Sequence, residues 1–177
     1  MRAFVPAFLF MVLVLFFWAG LSLKPSEIPS PLIGKPAPAF ALPELREPER
    51  VISNDTLAGE VSLLNVWATW CFACRQEHET LLAIARSGEV AVYGLNYKDE
   101  RGAAQDWLAQ LGDPYAANAF DEFGKAAIDF GVYGAPETFL IDAQGVVRHK
   151  HIGPLDMRIW TEELLPMIRS AKEESGS

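Results

Sequence analysis

Hydrophobic and polar positions along the chain follow two patterns, one typical of buried strands and one typical of helices. Residues 60–68, EVSLLNVWA, are a nearly continuous apolar run rich in β-formers, which predicts a strand buried on both faces. In residues 71–88 the apolar side chains recur at helical spacing up to Gly88, which predicts a helix. The apolar run 90–98 predicts a second buried strand, and residues 101–112 predict a second helix.

The remainder of the chain continues this alternation in shorter segments. Its predicted elements are a short strand near 115–120, a helix near 122–130, two strands within 138–152 joined at 143–145, and a final helix over 156–171. The final helix is expected to bend at Pro166, because proline removes a backbone donor. Strands and helices that alternate in this way are typical of an α/β layer fold.

The N-terminal segment is apolar but shows neither the strand pattern nor the helical spacing described above. It carries no charge between Arg2 and Lys24, which leaves 21 uncharged positions. A helix needs about 20 apolar residues to cross a bilayer, whereas the apolar part of a cleaved signal is about 7–15 residues long. Bulky Phe17 and Trp18 disfavour a cleavage site, although a Gly-Leu-Ser triplet just after them leaves cleavage open. We predict an uncut transmembrane anchor over residues 1–23.

The rest of the chain divides into a linker, one domain and a tail. Residues 24–37 hold several prolines, which favour an extended, stiff spacer, although from about Gly34 onward we expect an irregular arm wrapped on the domain. The predicted domain spans 38–172, followed by a polar tail over 173–177. Only Arg2 and the terminal amine precede the anchor, so the positive-inside rule favours a cytoplasmic N-terminus and a domain outside the cytoplasm.

The charge balance excludes one class of partner. The chain carries a net charge of −8, and removing the two basic residues of the first 24 leaves 13 basic and 23 acidic side chains, or −10. Nucleic-acid backbones are bound through clustered Lys and Arg, and the sequence has no such cluster. We therefore expect no nucleic-acid partner.

The only two cysteines of the chain, Cys71 and Cys74, lie where the first predicted strand ends and a helix begins. Unpaired amides and the helix dipole stabilise an anion at this position, so the pKa of the Cys71 thiol is expected to fall. Two intervening residues place Cys74 on the same turn, close enough to form a disulfide and to resolve a mixed disulfide at Cys71. The pattern predicts a redox pair that needs no cofactor and no metal.

Other interpretations of the two cysteines remain open. A structural disulfide that closes so short a loop would add little stability, and a zinc site would have at most three ligands with His78 included. A c-type haem site needs His directly after the second Cys, where Arg75 stands. Two inert thiols are the last alternative. His149 and His151 share one strand face and offer a second possible metal site, although a solvated strand edge is commoner.

Two motifs resemble those of a known family. NVWATWC-x-x-CRxEH from residue 65 and GVYGAPETFLID over 131–142 are similar to motifs of the thioredoxin-like thiol-disulfide interchange proteins. Over about 34–168 the chain resembles more narrowly the membrane-anchored reductases of cytochrome c maturation, the DsbE/CcmG type. The resemblance implies a thioredoxin-like fold with an inserted helix and strand. It also implies a cis peptide before Pro136, a client strand added at Ala135 and Pro136, and a substrate surface lined by Trp70.

The resemblance also implies a function. The protein would be a single-pass inner-membrane protein that reduces the Cys-x-x-Cys-His disulfide of apocytochrome c, or a maturation partner, in the periplasm. A membrane donor of the DsbD/CcdA type would supply its electrons. Phe72-Ala73 stands where such proteins often have Pro and a small residue, which leaves the redox potential open. A general thiol oxidase or isomerase, and a metal-binding chaperone that uses the thiols, are the alternatives.

Two carboxylates are expected to make the pair a reductant. Glu77 lies three residues after Cys74 on the predicted helix, and Glu137 follows Pro136 directly. Negative charge beside the pair raises the thiol pKa values and favours the disulfide, so the reduced protein gives electrons away. A carboxylate in an apolar setting can also accept the proton of Cys74. The alternative is that both are ordinary solvated carboxylates.

Overall fold

A computed structural model of the chain describes residues 4–22 and 30–176. The helices and strands run in the order α1 (Phe4–Ser22), β1 (Ala41–Pro43), β2 (Val51–Ser53), α2 (Asn54–Leu57), β3 (Ser62–Trp67), α3 (Phe72–Ser87), β4 (Ala91–Tyr97), α4 (Arg101–Leu111), β5 (Ala117–Asp121), α5 (Lys125–Asp129), β6 (Glu137–Ile141), β7 (Val147–Ile152), α6 (Met157–Ile159), a π-helical turn (Trp160–Leu164) and α7 (Leu165–Ser175).

Five strands form one mixed sheet in the order β5-β4-β3-β6-β7. β3 pairs in parallel with β4, and β4 pairs in parallel with β5, with α3 and α4 as the crossover helices. β6 and β7 form an antiparallel hairpin, and β6 lies antiparallel to β3. This arrangement confirms the predicted α/β layer fold and places β3 at the centre of the sheet.

The central strand divides the core into two layers. All six residues of β3 are buried, and alternate side chains face opposite sides of the sheet, with Leu63 and Trp67 on one side and Leu64 and Val66 on the other. The first layer also contains apolar residues of α3 and α7, and the second contains aromatic residues near α5 and on β6. The end of β3 is therefore fixed from both faces.

Most predicted elements are confirmed with small shifts of their ends, and three details differ. The β1–β2 hairpin and α2 were not predicted, because strands of three residues carry no readable period. The predicted helix near 122–130 is limited to Lys125–Asp129. Pro166 does not bend a continuous helix in its middle, since a π-helical turn ends at Leu164 and α7 begins with Pro166 in its first turn.

The arm that precedes β1 is attached to the hairpin of β6 and β7. The Gly34 N–H donates to the Val147 carbonyl at 2.8 Å, and the Val147 N–H donates to the Lys35 carbonyl at 2.9 Å. The Ala37 N–H donates to the Gly145 carbonyl at 2.8 Å. These bonds confirm that the chain from Gly34 onward forms an arm wrapped on the domain.

The predicted anchor (1–23), the linker (24–37) and the tail (173–177) each extend outside the described residues, which omit 1–3, 23–29 and 177. Among the helices that are described, none combines the length and the hydropathy that crossing a membrane requires. The transmembrane anchor therefore stays a prediction from the sequence.

Asn54, the first residue of α2, holds the end of the arm. Its Oδ1 accepts a hydrogen bond from the Phe40 N–H at 2.8 Å, and its Nδ2 donates to the Pro38 carbonyl at 3.0 Å. Its Nδ2 also donates to the Ala37 carbonyl at 3.3 Å, so one side chain bonds three backbone groups of the arm and attaches the arm to the domain at a second place.

Replacing Asn54 with Ala is expected to lower the free energy of unfolding by about 1–2 kcal/mol, because backbone groups of the arm lose their partner. Urea unfolding measures the loss, and hydrogen exchange should show faster exchange of the Phe40 amide. Asp55→Ala, at the exposed neighbouring position, is the control. Equal exchange at Phe40 in both variants would contradict this role of Asn54.

Candidate active site

The two cysteines lie at the junction of β3 and α3. They form the predicted disulfide, with their Cα atoms 5.3 Å apart. Cys71 is the N-cap of α3, and its Sγ accepts a hydrogen bond from the Cys74 N–H at 3.0 Å. A sulfur in this position faces the unpaired amides of the first helical turn, which would stabilise a thiolate after reduction. The helix start thus supplies the environment that the sequence predicted.

The residues around the disulfide are apolar and partly open to solvent. Cys71 is 6% exposed and Cys74 is 2% exposed, so the first cysteine is slightly more accessible. Trp70 and Phe72, on either side of Cys71, are 57% and 76% exposed. The indole N–H of Trp70 donates to the Lys98 carbonyl at 2.9 Å. An approaching polypeptide would therefore meet two large aromatic side chains beside the sulfur.

Asp99 holds the turn that leads into Cys71. Its carboxylate accepts hydrogen bonds from the Thr69 N–H and the Thr69 hydroxyl, both at 2.6 Å, and from Asn96 Nδ2 at 3.0 Å. The sequence did not identify Asp99 as a site residue, because an Asp after a strand is equally common in ordinary loops.

The segment before β6 reaches the same end of the sheet. The peptide bond between Ala135 and Pro136 is cis, as the family resemblance implied. Ala135 packs against the core layer that contains both cysteines, and the Gly153 N–H donates to the Pro136 carbonyl at 3.0 Å. Within the described fold no backbone hydrogen bond engages Ala135, so its N–H and carbonyl are available to another chain.

Glu77, in the second turn of α3, is fully buried. Its Oε1 accepts a hydrogen bond from Asn65 Nδ2 at 2.9 Å, and its Oε2 accepts one from the Leu155 N–H at 2.8 Å. Burial raises the pKa of Glu77 from 4.5 to about 7, and these two hydrogen bonds offset only part of the effect. The interpretation of Glu77 as a solvated carboxylate is therefore wrong.

A buried hydrogen-bond network continues from Glu77. The Tyr115 hydroxyl donates to Asn65 Oδ1 at 2.8 Å, and Asn65 Nδ2 also donates to the Thr138 hydroxyl at 3.0 Å. Burial raises the pKa of Tyr115 far above its ordinary value, and the nearby Glu77 adds to that shift. Asn65 could have been identified from the sequence, since it is the polar residue inside the most apolar strand. Nothing in the sequence connects Tyr115 with this network.

Aromatic residues pack beneath the site. Trp67 stacks on Trp107 and Tyr115, with ring centroids 5.0 and 5.6 Å away, and its indole N–H donates to Asn118 Oδ1 at 2.9 Å. His78 packs edge-on against Trp107 at 4.4 Å, and burial lowers its pKa. His78 thus packs in the core. In the described part of the chain no group of three or more His, Cys, Asp or Glu could hold a metal ion.

Glu137 is also fully buried, so a solvated carboxylate is excluded here too. Its surroundings differ from those of Glu77. Its Oε2 lies 2.9 Å from Lys150 Nζ, and its Oε1 accepts a hydrogen bond from the Tyr133 N–H at 2.9 Å. The Glu137 carboxylate is therefore paired with the Lys150 ammonium inside the hairpin. The sequence did not identify Lys150, because a lysine on an edge strand is ordinarily a solvated surface residue.

Comparisons with known proteins agree with this geometry. Residues 32–164 match the model of the Redoxin family. The thiol:disulfide interchange protein DsbE of Allochromatium vinosum is 50% identical over 94% of this chain and 92% of its own length. The DsbE protein of Escherichia coli is 47% identical over 86% of this chain and 82% of its own length.

The solved structures give the same result for the fold. The crystal structure of a putative DsbE from Chlorobium tepidum superposes with a TM-score of 0.63 at 32% identity, over 78% of this chain and 96% of that one. The predicted thioredoxin-like fold is thereby confirmed.

The raised pKa of Glu77 predicts a specific dependence of stability on pH. Its pKa is about 7 in the folded protein against an ordinary value of 4.5, so the folded state binds the proton more tightly. The free energy of unfolding should therefore be highest below pH 4.5 and fall as the pH rises to about 7, by at most about 3 kcal/mol. Glu77→Gln should lack this part of the slope.

Urea unfolding of the oxidised protein at several pH values measures the slope. Glu79→Gln, which removes an exposed carboxylate from the same helix, should keep the slope of the unmodified protein. If Glu77→Gln and the unmodified protein lost stability equally between pH 4.5 and 7, the raised pKa would be refuted.

Proposed function

The chain belongs to the Redoxin family and, within it, to the DsbE group of thiol:disulfide interchange proteins, and from this premise we propose that it is a membrane-anchored reductant in cytochrome c biogenesis. Its thiol-disulfide oxidoreductase activity follows from the family and from the Cys71–Cys74 disulfide. The direction of electron flow, the client and the location are the parts that we propose. The observation that carries the proposal is the buried Glu77 with a pKa of about 7, three residues after Cys74 on the helix that begins at the cysteine pair.

The reaction transfers two electrons from the two cysteines to a client disulfide. The Cys71 thiolate attacks one client sulfur, the client disulfide breaks, and the released client sulfur takes up a proton. Cys74 then loses its proton and attacks Cys71 Sγ, which releases the second client thiol and leaves the Cys71–Cys74 disulfide. The accessibility of Cys71 and the deeper burial of Cys74 support this division of roles.

Glu77 favours the direction from protein to client in two ways. When ionised, it disfavours a nearby thiolate and so favours the disulfide product. A pKa of about 7 also lets it accept a proton near neutral pH, which suits deprotonation of Cys74 during resolution. Both effects follow from the burial of one carboxylate with only uncharged hydrogen-bond donors around it.

The client binds across the end of the sheet beside the disulfide. The free backbone groups of Ala135 pair with an extended client segment, Pro136 packs against it, and Trp70 contacts its side chains. An apocytochrome c segment with an oxidised Cys-x-x-Cys-His motif fits this requirement, since it is extended and offers one disulfide. Maturation proteins with an accessible disulfide are further partners.

The membrane anchor completes the proposal. The 21 uncharged positions that follow Arg2 would span about 32 Å as a helix, enough to cross the hydrocarbon layer. The large apolar side chains from Phe8 to Trp18 of α1 are exposed, which suits contact with lipid. The domain then lies on the periplasmic side of the inner membrane, where a membrane donor of the DsbD/CcdA type restores the dithiol.

Cys74→Ser is expected to trap mixed disulfides between Cys71 and the client, because the second attack cannot occur. Non-reducing gels and mass spectrometry of the trapped species identify the client, and apocytochrome c is the expected partner. Cys71→Ser is the matched control and should trap little. Trapping of many unrelated secreted proteins would favour a general oxidase or isomerase, and no trapping with tight metal binding would favour a metal chaperone.

Glu77→Gln is expected to make the redox potential less negative by about 30 mV at pH 8, which corresponds to about a tenfold change in the equilibrium constant. The difference should shrink at pH 5, where Glu77 is already protonated. Equilibration with glutathione measures the potential, and Glu79→Gln, with its exposed carboxylate, should leave it unchanged. Identical potentials for Glu77→Gln and the unmodified protein at pH 8 would contradict the role of Glu77.

A further inference from the structure

Lys150 is an unusual residue for the interior of the hairpin. It lies on β7 with 8% of its surface exposed, and its side chain is 3% exposed. Moving an ammonium group from water into the protein costs several kcal/mol unless it is well paired. An apolar side chain would avoid that cost, so the partners of Lys150 indicate what the charge does.

All close partners of the Lys150 ammonium belong to one short segment, Gly131–Pro136, and to β6, the strand that follows it. Nζ donates to the Gly131 carbonyl at 2.7 Å and lies 2.9 Å from Glu137 Oε2. It also lies 4.7 Å from the centre of the Tyr133 ring. The ammonium thus has a hydrogen-bond acceptor at the start of the segment, an ion-pair partner just after its end, and an aromatic ring between them.

Glu137, the first residue after the segment, contacts both the segment and the Lys150 ammonium. Its second oxygen accepts the Tyr133 N–H at 2.9 Å, so the carboxylate connects the middle of the segment with the ammonium. Between these contacts lie Gly134 and Ala135, for which the described structure shows no backbone hydrogen bond. Tyr133 itself is 83% exposed, so surrounding protein does not fix it. The backbone of the segment is bonded to the rest of the fold at Gly131, Val132 and Pro136, and the ion pair adds contacts at its middle.

We propose that Lys150 and Glu137 form a positioning pair that holds the segment Gly131–Pro136 in the shape that accepts a client strand. The inference rests on the proposed function, because the segment matters only if a polypeptide pairs with Ala135. It assigns Glu137 a different role from Glu77. Glu77 meets only uncharged hydrogen-bond donors, whereas Glu137 is paired with Lys150 beside the segment.

The test is a double variant that removes the pair without changing the net charge, Glu137→Gln with Lys150→Met. The matched control removes the second ion pair of the same hairpin, Asp142→Asn with Arg148→Met, which lies at the opposite end near the turn. Reduction of a synthetic peptide with an internal Cys-x-x-Cys-His disulfide gives KM and kcat for each protein. Exchange with dithiothreitol, which needs no peptide-binding segment, gives the reactivity of the cysteines alone.

The first double variant is expected to raise the peptide KM by about tenfold, the effect of one lost charge-assisted hydrogen bond that orders the segment. Its kcat and its rate with dithiothreitol should change by a much smaller factor. The control double variant should keep the peptide KM near that of the unmodified protein. The single variant Lys150→Arg, whose guanidinium can reach the same partners, should have a peptide KM close to that of the unmodified protein.

Three results would overturn the inference: an unchanged KM in the first double variant, an equal rise in the control, or a parallel loss with dithiothreitol. If the double variant does not fold, Glu137→Gln alone gives the same test, since it weakens the pair and keeps an oxygen for the Tyr133 N–H. Its KM should rise about threefold, and no rise would equally refute the pair. Failure of the unmodified protein to reduce the peptide would instead refute the proposed function.

Discussion

The hydrogen bond from the Cys74 amide to the Cys71 sulfur is the contact on which the site depends, because it places one sulfur at the positive end of α3. The rest of the fold keeps that sulfur in place. β3 delivers the chain to this point from the centre of the sheet, and Asp99 fixes the turn between strand and helix through Thr69. The aromatic stack on Trp67 fills the space below the turn. A rigid junction is thus built around a reactive atom.

The two buried carboxylates, Glu77 and Glu137, are chemically identical groups whose properties are set by different hydrogen-bond and ion-pair partners. Glu77 meets only uncharged donors, so burial raises its pKa into the range where it can exchange protons. Glu137 instead lies 2.9 Å from the Lys150 ammonium. The chain has a net charge of −8, and the lysine beside the segment Gly131–Pro136 gives the two carboxylates different surroundings. Under the proposed function, Glu77 acts on the sulfurs, while Glu137 shapes the surface that would receive the client.

Sequence patterns predicted the architecture and the position of the disulfide, because both depend on local features. Strand and helix periods are readable over six or more residues, and a Cys-x-x-Cys pair at a strand–helix boundary has few other uses. The position of Glu77 on the helix that begins at the cysteines also followed from its spacing. The contacts of Asn65 with Tyr115, and of Glu137 with Lys150, join residues that are far apart in sequence or on different strands. Such pairs depend on strand order and register, which periodicity alone does not reveal.

Two opposing effects act on the stability of the Cys71 thiolate: the amides at the helix start favour it, and the Glu77 carboxylate disfavours it. The Phe72-Ala73 dipeptide bears on the first effect. Phe72 begins α3 and its side chain is 76% exposed, so the side chain adds no apolar shield to the sulfur. A proline in its place would lack a backbone N–H, whereas Phe72 keeps one among the unpaired amides at the helix start, which favours the thiolate. The Glu77 carboxylate acts in the opposite direction. Under the proposed function, we expect an ionised carboxylate in the buried interior to outweigh one additional amide dipole near solvent, so that Glu77 has the larger effect on the redox potential of the pair.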